Sequence, residues 1–241
     1  MQLTEDLDKL ARACRILEME GHGDMTLGHL SLRDPQGRGY WLKRNAYGLG
    51  EITSAADFVL VDGEGNKLEG EGGRHSEWPI HSEILRMRPD VQVVAHTHPL
   101  HASVLSAFAA PLAPFTLDAD YFECLPCHRD DAALLKTKAQ GAALAASLGS
   151  QFAVLMANHG VTFCGTSIEH AVCMGIFLER AARIHILGSS TNLTPIFPDA
   201  ATRLKRRGQI MAPVHIEHSW NYFSRKLDWL AHTRGDAKVF A

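Results

Sequence analysis

The chain's 241 residues, 46 % hydrophobic and 21 % charged, suit one large globular domain over residues 1–241 with a real core. A formal net charge of −3 excludes the global basic field that nucleic-acid binding requires, and Lys205-Arg206-Arg207 reads as a solvated face. No stretch approaches the ~18 consecutive apolar residues of a membrane helix, and the acidic opening MQLTEDLDKL is unlike a secretory signal, so a cytoplasmic protein with neither a nucleic-acid nor a membrane partner is expected.

Residues 4–20 read as a helix. Thr4 can cap it, Glu5 and Asp6 place negative charge in its first turn, and Leu7, Leu10, Cys14 and Leu17 form an apolar stripe. Gly21-His22-Gly23-Asp24 ends it and opens a loop. Residues 30–33, 39–42 and 58–61 look like short strands between turn signals such as Asp34-Pro35 and Asp62-Gly63. A second amphipathic helix covers 79–88, with Pro79 suited to its first turn and Pro89-Asp90 ending it. Residues 91–97 are strongly β-prone, 102–109 form a small-residue helix, and 130–148 an Ala/Leu-rich one. After an apolar strand at 152–156, Thr166-Ser167-Ile168-Glu169 is a capping box before a helix reaching about residue 187. The tail carries more Pro and polar residues, with aromatics at Trp220, Tyr222, Phe223 and Trp229.

Helices and strands thus interleave without a repeat, which implies an α/β sandwich whose strand order is not readable. Neither a Gly-x-Gly-x-x-Gly fingerprint nor a Walker loop occurs, so no organic nucleotide cofactor is expected. The five cysteines are odd in number and scattered, which argues against a disulfide framework. Cys124-Leu125-Pro126-Cys127 lacks the strand–helix setting of a thioredoxin-type site.

The chemistry concentrates in the histidines. His96-Thr97-His98 closes the β-prone run, and residues i and i+2 of a strand face one side, so one cation can reach both imidazoles. Taken alone, the pattern also fits two exposed histidines at a strand end. His159, in Ala157-Asn158-His159-Gly160, leaves the apolar strand just before a glycine that lets the backbone turn; alone it reads as a turn histidine. Three neutral imidazoles together suit Zn²⁺, Mn²⁺, Fe²⁺ or Co²⁺. Glu77, at the mouth of the second helix, is a fourth candidate ligand or an ordinary helix-start acid.

These residues sit in a pattern that resembles the class II aldolase/adducin family. The matching stretches are Leu27-Gly28-His29-Leu30-Ser31-Leu32-Arg33, Ser76-Glu77-Trp78, Arg88-Pro89-Asp90 with His96-Thr97-His98-Pro99, and Asn158-His159-Gly160 with the helix carrying Glu169 and Glu179. The resemblance implies a three-layer α/β/α sandwich around a central, mainly antiparallel sheet, and a homotetramer with sites at subunit interfaces. It also implies one divalent ion per subunit on His96, His98 and His159, with Glu77 as ligand and proton exchanger.

Three departures bear on the substrate. Where the family's sugar-phosphate aldolases hold phosphate with a Gly-Asn pair, a Thr/Ser-Gly loop and a Ser-Ser pair, this chain has Gly28-His29, Lys43-Arg44-Asn45-Ala46-Tyr47-Gly48 and His75-Ser76. The candidate substrate-binding residues His29, Arg33, Arg44, His75 and Ser76 suit a carboxylate or phenolate at least as well as a phosphate. That resembles the branch of metal-dependent decarboxylases of hydroxy-aromatic acids. Asp118-Ala119-Asp120-Tyr121-Phe122 and Pro126-Cys127 instead resemble the 4-epimerases, which makes Asp120 a candidate acid/base; Tyr222 is the tail aromatic expected to reach a site. The expected function is a metal-dependent carbon–carbon lyase, by retro-aldol cleavage or decarboxylation, on a small non-phosphorylated oxyacid or hydroxy-aromatic acid through a metal-stabilised enolate. The rivals are a sugar-phosphate aldolase or 4-epimerase, a metal-dependent oxygenase, and a non-catalytic adducin-like binding domain.

Overall fold

A computed structural model describes residues 2–108, 111–129 and 134–233. Eight strands form one sheet: β1 (His29–Arg33), β2 (Tyr40–Lys43), β3 (Phe58–Val61), β4 (Lys67–Glu69), β5 (Val93–Thr97), β6 (Cys127–His128), β7 (Ala153–Met156) and β8 (Gly160–Gly165). Their order is β4-β3-β2-β1-β5-β8-β7-β6, with every neighbouring pair antiparallel except β6 and β7. The helices are α1 (Gln2–Leu17), α2 (Trp78–Met87), α3 (Leu100–Ser106), α4 (Leu117–Asp120), α5 (Lys138–Leu148), α6 (Ile168–Ser189), α7 (Ala200–Ile210) and α8 (Pro213–Thr233).

Strand alternation divides the core into two layers. Leu30, Leu32, Val93, Ala95, Val161 and Phe163 face α1, α3, α6 and α8; Leu42, Val59, Val94, Val154 and Cys164 face α2 and α5. This is the expected α/β/α sandwich with a mainly antiparallel sheet. The same alternation carries His96, two residues beyond Val94, to the α2 side, and His29 lies directly across from it in the β1/β5 register.

Several boundaries differ from the sequence reading. α1 begins at Gln2, so Thr4 lies inside the first turn and caps nothing. It gives way at Glu18–His22 to a kinked turn in which Gly21 takes φ 89, a conformation that glycine adopts without a Cβ clash. α6 is capped by Ser167, whose hydroxyl accepts from His170 N–H at 3.2 Å, one residue later than the expected Thr166. The expected helix at 130–148 starts at Lys138 behind a Thr137/Gln140 capping box, while residues 130–133 lie outside the described residues. The expected 102–109 helix runs Leu100–Ser106, and residue 109 also lies outside them. β8 escaped the sequence reading because glycines at both ends look like turns, and the tail forms α7 and α8.

Candidate metal centre

One end of β5 and the β7–β8 turn meet at the sheet's edge of loops. His96 is the last residue but one of β5, which is buried throughout, and His98 follows past the strand. Opposite, Asn158 takes the left-handed φ of 57, which Asn tolerates better than most residues, and His159 N–H closes the turn on Met156 O at 3.0 Å. Gly160 makes the approach feasible: a Cβ there would lie 2.4 Å from His98 Cδ2 and 2.7 Å from Thr97 O. Ring centroids are 4.7 Å apart for His96–His98, 4.9 Å for His96–His159 and 5.1 Å for His98–His159.

Hydrogen bonds decide which nitrogens face inward. His96 Nδ1 lies 3.0 Å from the Val161 carbonyl, which can only accept, so the proton is on Nδ1 and Nε2 presents a lone pair. His98 Nδ1 faces the Asp24 carboxylate at 2.9 Å with the same consequence. The two Nε2 atoms stand 3.0 Å apart, and the ligand atoms of all three histidines lie within 4.8 Å of one another. Burial, with the neighbouring imidazoles, pushes His96 well below the usual histidine range and His159 below it, which keeps both uncharged as a cation requires.

Glu77 stands at the N-cap of α2, yet its side chain does not cap the helix. Oε1 accepts from Leu135 N–H at 3.0 Å, while Oε2 lies 3.8 Å from His96 Nε2 and 3.9 Å from His29 Nε2. Burial raises its pKa, the Leu135 N–H opposing. His29, Glu77 and His96 form a second group with ligand atoms inside 4.8 Å. Three imidazoles whose ligand atoms converge, and a carboxylate beside them, fit a divalent ion of the zinc, manganese, iron or cobalt kind.

A second histidine cluster adjoins the first. His29 Nδ1 meets His81 Nε2 at 2.7 Å, His81 Nδ1 meets Ser31 Oγ at 2.7 Å, and the His75 ring lies 4.4 Å from that of His29. Burial holds His75 and His81 down to about 3. The Nε2 atoms of both His29 and His75 are buried without a hydrogen-bond partner. Ser76 beside them is exposed. An open cleft of about 470 Å³ borders the first cluster, lined by Asp24, His98, Leu100, Val104 and His159 among others. A larger cavity of about 640 Å³, bounded by α1, α6 and α8, touches none of these histidines.

The remaining sequence candidates lie elsewhere. Arg33 sits at the far end of β1, its guanidinium donating to the carbonyls of Leu85, Arg88 and Val91 at 2.8–3.0 Å, so it is not free to bind substrate. Arg44 pairs with Asp57 at 2.6 Å and lies over the Tyr47 ring. Asp120, buried at the end of α4, pairs through Oδ1 with Arg203 of α7 at 2.8 Å. Tyr222 is 54 % exposed on α8 and touches neither cluster within this chain.

The family model described as Class II Aldolase and Adducin N-terminal domain matches residues 8–186. The chain belongs to the class II aldolase and adducin family. Among family relatives, the decarboxylase NovR of Streptomyces niveus is 32 % identical over 189 residues, 76 % of this chain and 69 % of that protein. The 3,4-dihydroxyphthalate decarboxylase of Arthrobacter keyseri is 29 % identical over 74 % of this chain and 77 % of its own length. Among solved structures, an aldolase II superfamily protein from Pseudomonas syringae superimposes with a TM-score of 0.85 at 28 % identity, over 95 % of this chain and 94 % of that one. An L-fuculose 1-phosphate aldolase from Glaciozyma antarctica gives 0.81 at 23 % identity over 98 % and 93 %, a likeness of fold.

Within this class II aldolase-type fold, four residues at the clusters went unread in the sequence. Asp24 and His22 lay in what looked like a loop after the first helix, and Ser31 and His81 looked like ordinary strand and helix residues. His81 carried one signal: it follows Glu77 by four positions on α2, the spacing that sets two side chains on one helix face.

Proposed function

We propose that this chain is a divalent-metal-dependent carbon–carbon lyase acting on a small, non-phosphorylated oxyacid, with decarboxylation of a hydroxy-aromatic acid the preferred reaction. The carrying observation is a juxtaposition: three histidines whose ligand atoms converge, His96 and His98 with inward lone pairs, beside Glu77, and next to them two buried, unpartnered imidazole nitrogens, on His29 and His75. A bound cation supplies Lewis-acid polarisation of substrate oxygens and stabilises negative charge where it develops. His96, His98, His159 and Glu77 are its proposed ligands, with no organic cofactor.

His29 and His75 bind and orient the substrate's anionic oxygen through Nε2–H, and Ser76 borders that recess. Neutral imidazole donors match a carboxylate or phenolate better than a phosphate dianion, and the decarboxylase relatives point the same way. The C–CO₂⁻ bond breaks with its electron pair left on carbon, and Glu77, whose acid form burial favours, delivers a proton from its carboxyl to the same carbon as CO₂ departs. The pairing of Asp120 with Arg203, away from the histidine clusters, weighs against the 4-epimerase reading.

A second reading, an oxygenase on the same centre, is favoured by one relative. The 4-hydroxy-3-prenylphenylpyruvate oxygenase/4-hydroxy-3-prenylbenzoate synthase of Streptomyces roseochromogenus is 31 % identical over 75 % of this chain and 66 % of that protein. Residues 1–241 are read as one catalytic unit that assembles as a homotetramer. Leu100, Val104 and Phe108 leave an exposed apolar stripe beside the cluster, where a second copy could complete the cleft and bring Tyr222 to it.

The test is a panel of hydroxy-aromatic acids and sugar phosphates, with CO₂ and aldehyde release read separately, with and without O₂. Metal-dependent CO₂ release from a hydroxy-aromatic acid under nitrogen supports the proposal. Turnover confined to phosphorylated sugars, or requiring O₂, rejects it.

A further inference from the structure

The three histidines of the first cluster are not held alike. His96 is fixed by the sheet itself: its Nδ1 hydrogen meets the Val161 carbonyl on the adjacent strand, inside a fully buried ladder. His98 lies beyond the end of β5, where the ladder offers no such acceptor, and the acceptor it has comes from a different part of the chain. Asp24 Oδ2 lies 2.9 Å from His98 Nδ1 across 74 residues of sequence.

The segment that delivers Asp24 is shaped for that purpose. The kinked turn Glu18–His22 ends α1, and His22 Nδ1 lies 2.9 Å from Thr97 Oγ1, the hydroxyl between His96 and His98. Asp24 follows two residues later. Its own carbonyl accepts from Leu27 N–H at 2.9 Å, and Met25 between them takes φ 48, which is unusual for a non-glycine residue. Met25 is 76 % exposed, so packing of its side chain does not explain the conformation. Its carbonyl is close against Gly48, where a Cβ would come within 2.7 Å. Left-handed non-glycine residues cost local stability and recur where a side chain must be aimed. The imidazole of His98 is thereby caught between Asp24 on one edge and Gly160 against its Cδ2 on the other.

We infer that Asp24 is a positioning residue of the metal centre, its carboxylate holding His98 with Nε2 bare and aimed at the point shared with His96 and His159. A carboxylate behind a ligating imidazole fixes the ring's tautomer and raises its basicity toward a cation, and loss of such a partner weakens metal binding by roughly 10–100-fold. The inference rests on reading the histidine cluster as a metal centre. It extends that reading to a residue that acts on the cation through His98.

The full chain, stripped of metal and titrated with Zn²⁺ against a chromogenic chelator, gives the affinity of wild type, Asp24→Asn, Asp24→Ala, Asp24→Glu and His98→Ala. The visible spectrum of the Co²⁺-loaded forms reports the ligand field, and the thermal midpoint of each metal-free form reports the fold. Asp24→Asn and Asp24→Ala are expected to bind roughly 10–100-fold more weakly, with an altered Co²⁺ spectrum and a metal-free midpoint near wild type, and Asp24→Glu to recover most of the affinity. Wild-type affinity and spectrum in Asp24→Asn and Asp24→Ala overturn the role of Asp24 alone. So does a loss that follows only a lowered metal-free midpoint. A wild type that binds no metal, like His98→Ala, overturns the metal centre and this role with it.

Discussion

The Nε2 atoms of His96 and His98 face each other at 3.0 Å while both Nδ1 hydrogens are engaged elsewhere, on the Val161 carbonyl and the Asp24 carboxylate. Two lone pairs at that distance repel unless something positive lies between or beside them. A cation relieves the repulsion only in the folded chain, so its binding must stabilise the fold. At a free concentration a hundred times the dissociation constant the gain is about 2.7 kcal/mol, which for a chain of this size raises the thermal midpoint by roughly 5–10 °C. His96→Ala and His159→Ala are expected to abolish that shift and the bound metal found by elemental analysis. Full metal content in both variants would mean that the cluster is not the site.

Glu77 differs from the histidines in being asked to hold a proton as well as a position. Glu77→Gln keeps an acceptor for Leu135 N–H while removing the carboxylate's acid/base capacity. Turnover is expected to fall by about 10²–10⁴-fold with KM little changed. The same substitution has a signature without substrate. The metal-free folded chain holds the Glu77 proton more tightly than the unfolded chain does. That contribution to stability is complete below the ordinary value of 4.5 and is lost as pH rises through the folded value. Urea midpoints of the metal-free protein should therefore fall less over this range in Glu77→Gln than in wild type. Equal slopes would show that Glu77 is ionised in the fold.

Buried imidazoles give a pH dependence of opposite sign. Burial holds His22 at about 3, against 6.5 for an ordinary histidine, and its Nε2 has no partner. The unfolded chain takes up a proton there as pH falls below 6.5 while the fold refuses it, so stability is full above 6.5 and drains between 6.5 and about 3. Each such group contributes about 1.4 kcal/mol per pH unit. His22→Gln is expected to lose less stability between pH 6.5 and 4.5 than wild type in urea titrations at each pH, whatever its stability at neutral pH. An unchanged slope would place the acid sensitivity in other groups.

Much of the centre was legible in the sequence because its determinants are local. The alternation of residues 91–97 fixes His96 on one face, and a strand exit before Gly160 brings His159 to the loop edge. The partners of those side chains were not legible, because they depend on which distant segments the fold brings together. Asp24 reaches His98 only once α1 has packed across the sheet, and Asp120 finds Arg203 only through α7, 83 residues away. Charge alone misassigned Arg33: a cation near the motif suggests an anionic ligand, but the helix end it meets offers backbone carbonyls in need of donors. β8, buried at every position, was hidden by the glycines that let it approach His98.

Arg33 yields a prediction that separates scaffold from site. Its Nε and Nη2 donate to Val91 O at 3.0 and 2.9 Å, and Nη2 also to Leu85 O and Arg88 O at 2.8 and 3.0 Å. These carbonyls close the C-terminal end of α2 and the turn into β5, where a cation is also favoured by the helix dipole. Removing the guanidinium takes its donors from these half-buried carbonyls, of which Arg88 O keeps Val91 N–H, and Arg33→Ala should cost about 2–3 kcal/mol. Since Glu77 is the N-cap residue of α2 and His96 lies near the end of β5, the clamp sets how the two elements meet, but it stands at the opposite end of each from the site. The variant is therefore expected to lower the urea midpoint while leaving KM for the substrate within about two-fold of wild type, the scale of a change remote from bound groups. A selective rise in KM with unchanged stability would return Arg33 to the substrate site and show that the clamp geometry is not the one the protein uses.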